Sequence, residues 1–155
     1  MNIESIHVLI QTAKEENAGT DGDVYLGICG REFVIDTDQK DFDKNSTKTY
    51  IIGDGANIKN SYENDPRHHW IRHTEDLEKY PIYIRFEAIE QKKELAVPRY
   101  DVNWLLEYVR VQVNPKAGAG GEWIFEALKN RDEKLWLGQL YGKFCHLKLI
   151  KKGEI

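Results

Sequence analysis

Cysteine is nearly missing from this chain: Cys29 and Cys145 are the only two among 155 residues. Both lie in apolar, strand-like runs and read as reduced, buried, small hydrophobes rather than as staples. A basic surplus is missing too, since 22 Lys and Arg face 26 Asp and Glu for a formal net charge of −4. That balance weighs against a general nucleic-acid binder and equally against unassisted adsorption to anionic lipid. Nowhere do about 18 apolar residues run together, so no membrane span is predicted. The opening Met1-Asn2-Ile3-Glu4 shows no basic stretch leading into an apolar one. This predicts a soluble, cytoplasmic protein, although a chain already stripped of a leader reads the same. The common nucleophile signatures are absent as well: there is no Gly-x-Ser-x-Gly elbow and no phosphate-cradling Gly-rich loop ending in Lys-Ser or Lys-Thr. Cys145 and His146 are neighbours in a strand and point to opposite faces, so they do not form a nucleophile pair.

What is present belongs to an ordinary globular domain, with 41% hydrophobic and 31% charged residues. The length suits one domain over residues 1–155 with a core of its own. Ile6, Val8 and Ile10 alternate with His7, Leu9 and Gln11, the period of a strand, with His7 expected at an exposed or edge position. Strands are predicted likewise over Val24–Cys29, Arg31–Thr37, the run ending at Ile52, Ile82–Ala88, Glu122–Ala127, Lys134–Leu140 and Phe144–Ile150. In the series Trp104, Leu106, Val109, Val111, Val113 the parity slips between Leu106 and Val109, as a bulge would cause. Lys116–Gly121 reads as a flexible turn. Trp104, Trp123 and Trp136 are expected in the core. Lys148, Lys151 and Lys152 read as a solvated edge that discourages strand addition. The pattern predicts an all-β, antiparallel β-sandwich of about eight strands. One long loop or short helical excursion interrupts it around residues 57–80, with a helical turn near Thr74–Lys79 that Thr74 caps and Glu75 and Asp76 favour.

The chain is organised around Asn17–Gly30, a polar turn that closes as a strand. Asn17, Gly19 and Gly22 supply the φ freedom of a tight reversal. Thr20, Asp21 and Asp23 crowd oxygen donors at the strand's end. Taken alone, this is a hairpin turn whose Asp side chains cap their own backbone.

The order of motifs says more. Val8, Ile10 and Thr12, followed by Asn17-Ala18-Gly19-Thr20-Asp21-Gly22-Asp23-Val24, are similar to the opening strand and Gly-Ala-Gly-Thr-Asp-Ala-Asp-Val turn of the lipoxygenase-homology, or PLAT, domain. Phe42–Tyr50 resembles that family's Phe-x-x-Gly-x-x-Asp-x-Phe element, and Asp76-Leu77 with Ile82–Glu87 its Asp-Leu and following strand. Trp104-x-Leu106 with Val109-x-Val111, then Trp123-Ile124-Phe125 and Trp136-Leu137, resemble its later elements. The chain departs where Lys14 replaces a frequent aspartate and Phe86-Glu87-Ala88 replaces His-Asp-Asn, and its 57–80 excursion is longer.

The resemblance implies a non-catalytic module that brings proteins to membranes or to other proteins, in some cases through calcium. Ca²⁺ takes six to eight oxygens. Thr20, Asp21 and Asp23, with Glu87 or Glu90 from the opposite loop, are the expected ligands, and Lys14 either adds a cation beside them or substitutes for the metal as a counter-ion. The excursion carries Arg67-His68-His69-Trp70-Ile71-Arg72-His73. Its first reading is a partner-binding loop, with Trp70 as anchor and Arg67, His69 and Arg72 beside it. A Trp folded back over a sheet edge explains the same letters. The alternative is an enzyme with a metal site at His68, His69 and His73, because positions 69 and 73 share a face if the segment is helical. A protein partner is expected first, membrane lipid second, and nucleic acid not at all.

Overall fold

The computed structural model describes residues 1–88, 103–118, 120–130 and 133–153. Among these residues ten strands make two antiparallel sheets, two more strands than the periodicity predicts. β1 (Ser5–Thr12), β4 (Thr47–Gly53), β6 (Asn103–Val113), β7 (Trp123–Ala127), β8 (Leu135–Gly138) and β10 (Lys148–Lys151) form the larger sheet. Its order is β10-β7-β6-β1-β4, with β8 also on β6. β2 (Asp23–Ile28), β3 (Arg31–Ile35), β5 (Tyr83–Glu87) and β9 (Phe144–His146) form the smaller one, in the order β3-β2-β5-β9. The single strand expected over Phe144–Ile150 is two strands, because the chain crosses from one sheet to the other at Leu147.

Alternation drives the packing. Ile6, Val8, Ile10 and Thr12 of β1 are buried between the sheets, facing Leu26, Phe33, Ile84 and Phe86 of the smaller sheet in one continuous core. Trp104 sits in it against Phe42 and Phe86, and its indole N–H donates to Thr12 Oγ1 at 2.9 Å. The buried ring therefore keeps its polar atom satisfied. Trp123 is also core, but Trp136 is half-buried and stacks on exposed Tyr141, which corrects its expected burial. His7 is not at an edge: β1 pairs on both sides, with β4 and β6, and burial lowers the His7 pKa, helped by Lys116. The parity slip in β6 is a bulge, since Gln11 faces Tyr108 while Thr12 faces Leu106 and Glu107 is extra.

The strand expected to reach Cys29 stops at Ile28. Cys29 (φ 53°) and Gly30 (φ 72°) instead make the two-residue turn to β3, the left-handed pair that a tight hairpin requires. The expected run to Leu140 likewise stops at Gly138, and Leu140 is 87% exposed in the β8–β9 loop. Pro115–Ala117 forms a short 3₁₀ turn that overlaps the start of the expected flexible connection.

Candidate functional site

The register places the two candidate sites at opposite ends of the sandwich. Asp23 opens β2 opposite Glu87, the last residue of β5, and Lys143 before β9 pairs with Glu87. The turn 17–22, the loop 36–45 and the β8–β9 loop with Leu140 therefore share one end. The hairpin Cys29-Gly30, the start of β1 and the excursion after Gly53 share the other, where Ile3 N–H donates to the Arg72 carbonyl and the Cys29 thiol to that of His73.

Within the turn 17–22 only Asn17 uses a left-handed backbone (φ 63°). Gly19 and Gly22 are there for close approach: a Cβ on Gly19 would meet the Lys44 amide, and one on Gly22 the Phe86 ring and the Glu87 carbonyl. The turn is capped by Thr20, not by the aspartates, with Gly22 N–H donating to its hydroxyl at 3.0 Å. Asp21 and Asp23 are exposed, and among the described residues neither side chain has a hydrogen bond or ion pair. Both line a cleft of about 310 Å³ with Asp36 and Asp41. Burial raises the Asp36 pKa against the pull of Lys59, with Asp41 adding to the rise.

The donor expected from the opposite loop, Glu87, is engaged elsewhere. Glu87 is held by Lys143 at 3.1 Å and by Arg85 at 2.8 Å, which keep its carboxyl below the ordinary range. Glu90 lies outside the described residues. Lys14 makes no ion pair with Asp21 or Asp23 among the described residues. No group of three or more His, Cys, Asp or Glu among those residues is arranged to hold a metal. The ligand set expected from sequence is thus not assembled as a set; two free carboxylates facing two more across a cleft are what remain.

The other end is built on Arg31. Its guanidinium, at the start of β3, donates to the carbonyls of Glu63, Asp65 and His68, the last two at 3.0 Å. Burial, with Arg72 nearby, lowers its pKa. Three carbonyls on one planar fork fix the backbone of residues 63–68 to the sheet. Asp65, nearly buried, grips Arg67 through both carboxylate oxygens, at 3.0 and 2.9 Å. Burial works to raise Asp65, but the Arg67 bonds outweigh it and the pKa falls.

The next residues turn sharply. His69 has φ 67° and pairs with Glu63 at 2.9 Å, and Trp70 N–H reaches back to the His68 carbonyl at 2.9 Å. This tight, left-handed reversal drives the next two side chains outward: Trp70 is 75% and Ile71 54% exposed. The sequence alternative in which Trp70 folds over a sheet edge is not what the chain does.

Arg67, His69, Trp70 and Arg72 do lie together as expected, but in different roles. Arg67 and His69 are engaged by acids, and Arg72 has its Nε buried. Ile71 is exposed beside Trp70, a placement missed in the sequence, where an isoleucine among polar residues has no period to mark its side. The shared helix face for His69 and His73 does not exist, because His69 is left-handed and only Thr74–Asp76 forms a 3₁₀ turn. His68 stacks on Tyr62 and donates to its carbonyl at 3.1 Å. Thr74 is not the cap either: it is the buried first residue of that turn, and its hydroxyl donates to the Met1 carbonyl.

By sequence, no family model and no curated protein matches the chain. By structure, it superposes on alpha toxin from Clostridium absonum with a TM-score of 0.52 and 24% identity over 95% of this chain. A lipoxygenase variant, Delta413-417:GS I805W, gives 0.54 and 15% over 94%. The fold is the PLAT β-sandwich. Coral 8R-lipoxygenase, described as activated by calcium via a C2-like domain, matches with 0.50 and 16% over 94%. The chain spans 32%, 16% and 17% of those three proteins. No helix among the described residues is long and apolar enough to cross a membrane.

Proposed function

We propose that this PLAT-fold chain is a non-catalytic docking module that engages a protein partner through the Trp70–Ile71 tip. The observation that carries this is the combination of a solvent-facing Trp-Ile pair with a backbone locked beneath it by Arg31 and Asp65. An anchor already held in its bound geometry loses little entropy on docking. Its surroundings are the paired charges Arg67–Asp65 and His69–Glu63, a polar rim around an aromatic centre. The net charge of −4 disfavours an anionic membrane as the first target.

Trp70→Ala with Ile71→Ser is predicted to abolish partner capture from extract without lowering the thermal midpoint. Arg67 and Arg72 are left intact because their removal disturbs the loop itself. Capture that survives the double variant contradicts the reading.

A second mode is supported by the other end: calcium-assisted membrane docking through Asp21 and Asp23, with Leu140 as the inserting residue. The free carboxylates, the exposed leucine and the calcium activation stated for coral 8R-lipoxygenase favour it. Bound calcium would supply the charge reversal that lets this acidic end approach anionic lipid. It predicts a midpoint raised by calcium, by about 2.7 kcal/mol of stability at a hundredfold excess over Kd. The rise is lost in Asp21→Asn with Asp23→Asn; equal midpoints in calcium and chelator exclude the mode.

A further inference from the structure

The outward side chains of the smaller sheet stand in two rows across its strands. Glu32, Gly27, Tyr83 and His146 are in register in one, and Val34, Tyr25, Arg85 and Phe144 in the other. Gly27 leaves a gap that the Tyr83 ring fills, since a Cβ there would overlap that ring. Phe144 meets Tyr83 edge-on, with centroids 5.1 Å apart and planes at 73°. The Phe144 and His146 rings are nearly parallel at 17° and 6.1 Å, and Phe144 is 45% exposed. The result is an aromatic ledge on a rigid sheet.

The polar groups beside it are fixed. Arg85 stacks over the Tyr25 ring at 3.9 Å and binds Glu32 through Nε and Nη2, at 2.8 and 2.9 Å. Its Nη1 reaches Glu87, which also holds Lys143, and the Tyr83 hydroxyl donates to Glu32 at 2.9 Å. Hydrogen bonding to Arg85 lowers the Glu32 pKa, so the fork stays ionised and paired at neutral pH. Two carboxylates face two cations and the charges cancel.

We propose that this face binds a neutral oligosaccharide. A pyranose ring offers an apolar C–H face and a rim of hydroxyls. The rings take the first, and the spare lone pairs and N–H groups of the Glu32–Arg85–Glu87 fork take the second. Charge balance decides among the rivals. A nucleic acid or anionic lipid needs a basic field that this face lacks. A cationic ligand beside the rings meets the Arg85 guanidinium. Four strands span roughly 14 Å, which suits a short oligosaccharide rather than one sugar.

The test is affinity electrophoresis of the whole chain through gels holding a β-1,4-glucan, an α-1,4-glucan or a mannan. A heparin gel and a phosphatidylcholine vesicle sedimentation run beside it. Retardation by at least one neutral gel, insensitive to salt, is expected. Phe144→Ala with His146→Ala removes exposed rings only, so it is expected to weaken retardation at least tenfold while leaving the thermal midpoint unchanged. Glu32→Gln keeps the shape of the fork and is expected to weaken it severalfold. Trp70→Ala is expected to leave it unaltered, which separates this face from the docking tip. The proposal is overturned by no retardation in any neutral gel, by retardation in heparin alone, or by vesicle binding that the ring variant abolishes. It is equally overturned if the ring variant migrates like the parent in the neutral gels.

Discussion

Arg31 does more for the excursion than any residue the sequence marks out. One half-buried guanidinium satisfies three carbonyls that no strand could reach, and its stacking on Phe33 at 4.5 Å keeps the fork flat against β3. Arg31→Met keeps the apolar stem but leaves those carbonyls without a donor. It is predicted to cost about 1–3 kcal/mol and to speed amide exchange across residues 65–70. An unchanged midpoint with unchanged exchange contradicts this role. Nothing in the local sequence identifies Arg31, because its partners lie more than thirty positions away and are backbone atoms. The exposure of Trp70 was legible for the opposite reason: a tryptophan among charges, outside any apolar period, has no core to join.

Edges decide how the elements are held. Asn57 works as a strand substitute on β4, accepting from the Ile51 amide at 2.8 Å and donating to the Thr49 carbonyl at 3.1 Å. Asn64 does half of this on β3, accepting from the Val34 amide at 2.9 Å. Both lie in the long excursion, which therefore covers one edge of each sheet as well as carrying the tip. Asn57→Ala with Asn64→Ala is predicted to cost about 1 kcal/mol per bond lost and to remove exchange protection from the Ile51 and Val34 amides. Protection that persists would show that the backbone of the loop, not the amide side chains, guards these edges. The strands themselves were largely readable, since inward Ile6, Val8 and Ile10 and the slipped parity of β6 are local patterns. The crossing at Leu147 and the end of β2 at Ile28 were not. Each depends on which sheet the neighbouring strand joins, which alternation alone does not encode. The pairing of Glu87 was hidden for a similar reason: it is acidic and well placed, but Arg85 reaches it along β5 and Lys143 from the β8–β9 loop.

At the scale of the molecule, both thiols are sealed in the fold and make it sensitive to alkali. Burial pushes Cys29 up to about 12, with Asp76 adding to the rise, and Cys145 up to about 11, against 9.0 for a free thiol. Between pH 9 and 11 the unfolded chain has released protons that the folded one retains, so stability falls as pH rises. The thermal midpoint is predicted to drop over that window, and less steeply in Cys145→Ala; an identical slope removes the thiol from the account. The two ends of the sandwich, one with paired charges around Trp70 and Ile71 and one with free carboxylates beside Leu140, give the molecule a polarity that sequence order conceals. The most direct test of which end docks is hydrogen–deuterium exchange of the chain with and without its captured partner. New protection confined to residues 62–72 is the predicted result. Protection at residues 20–23 and 139–143, with the Trp70 loop unaltered, would contradict the central claim.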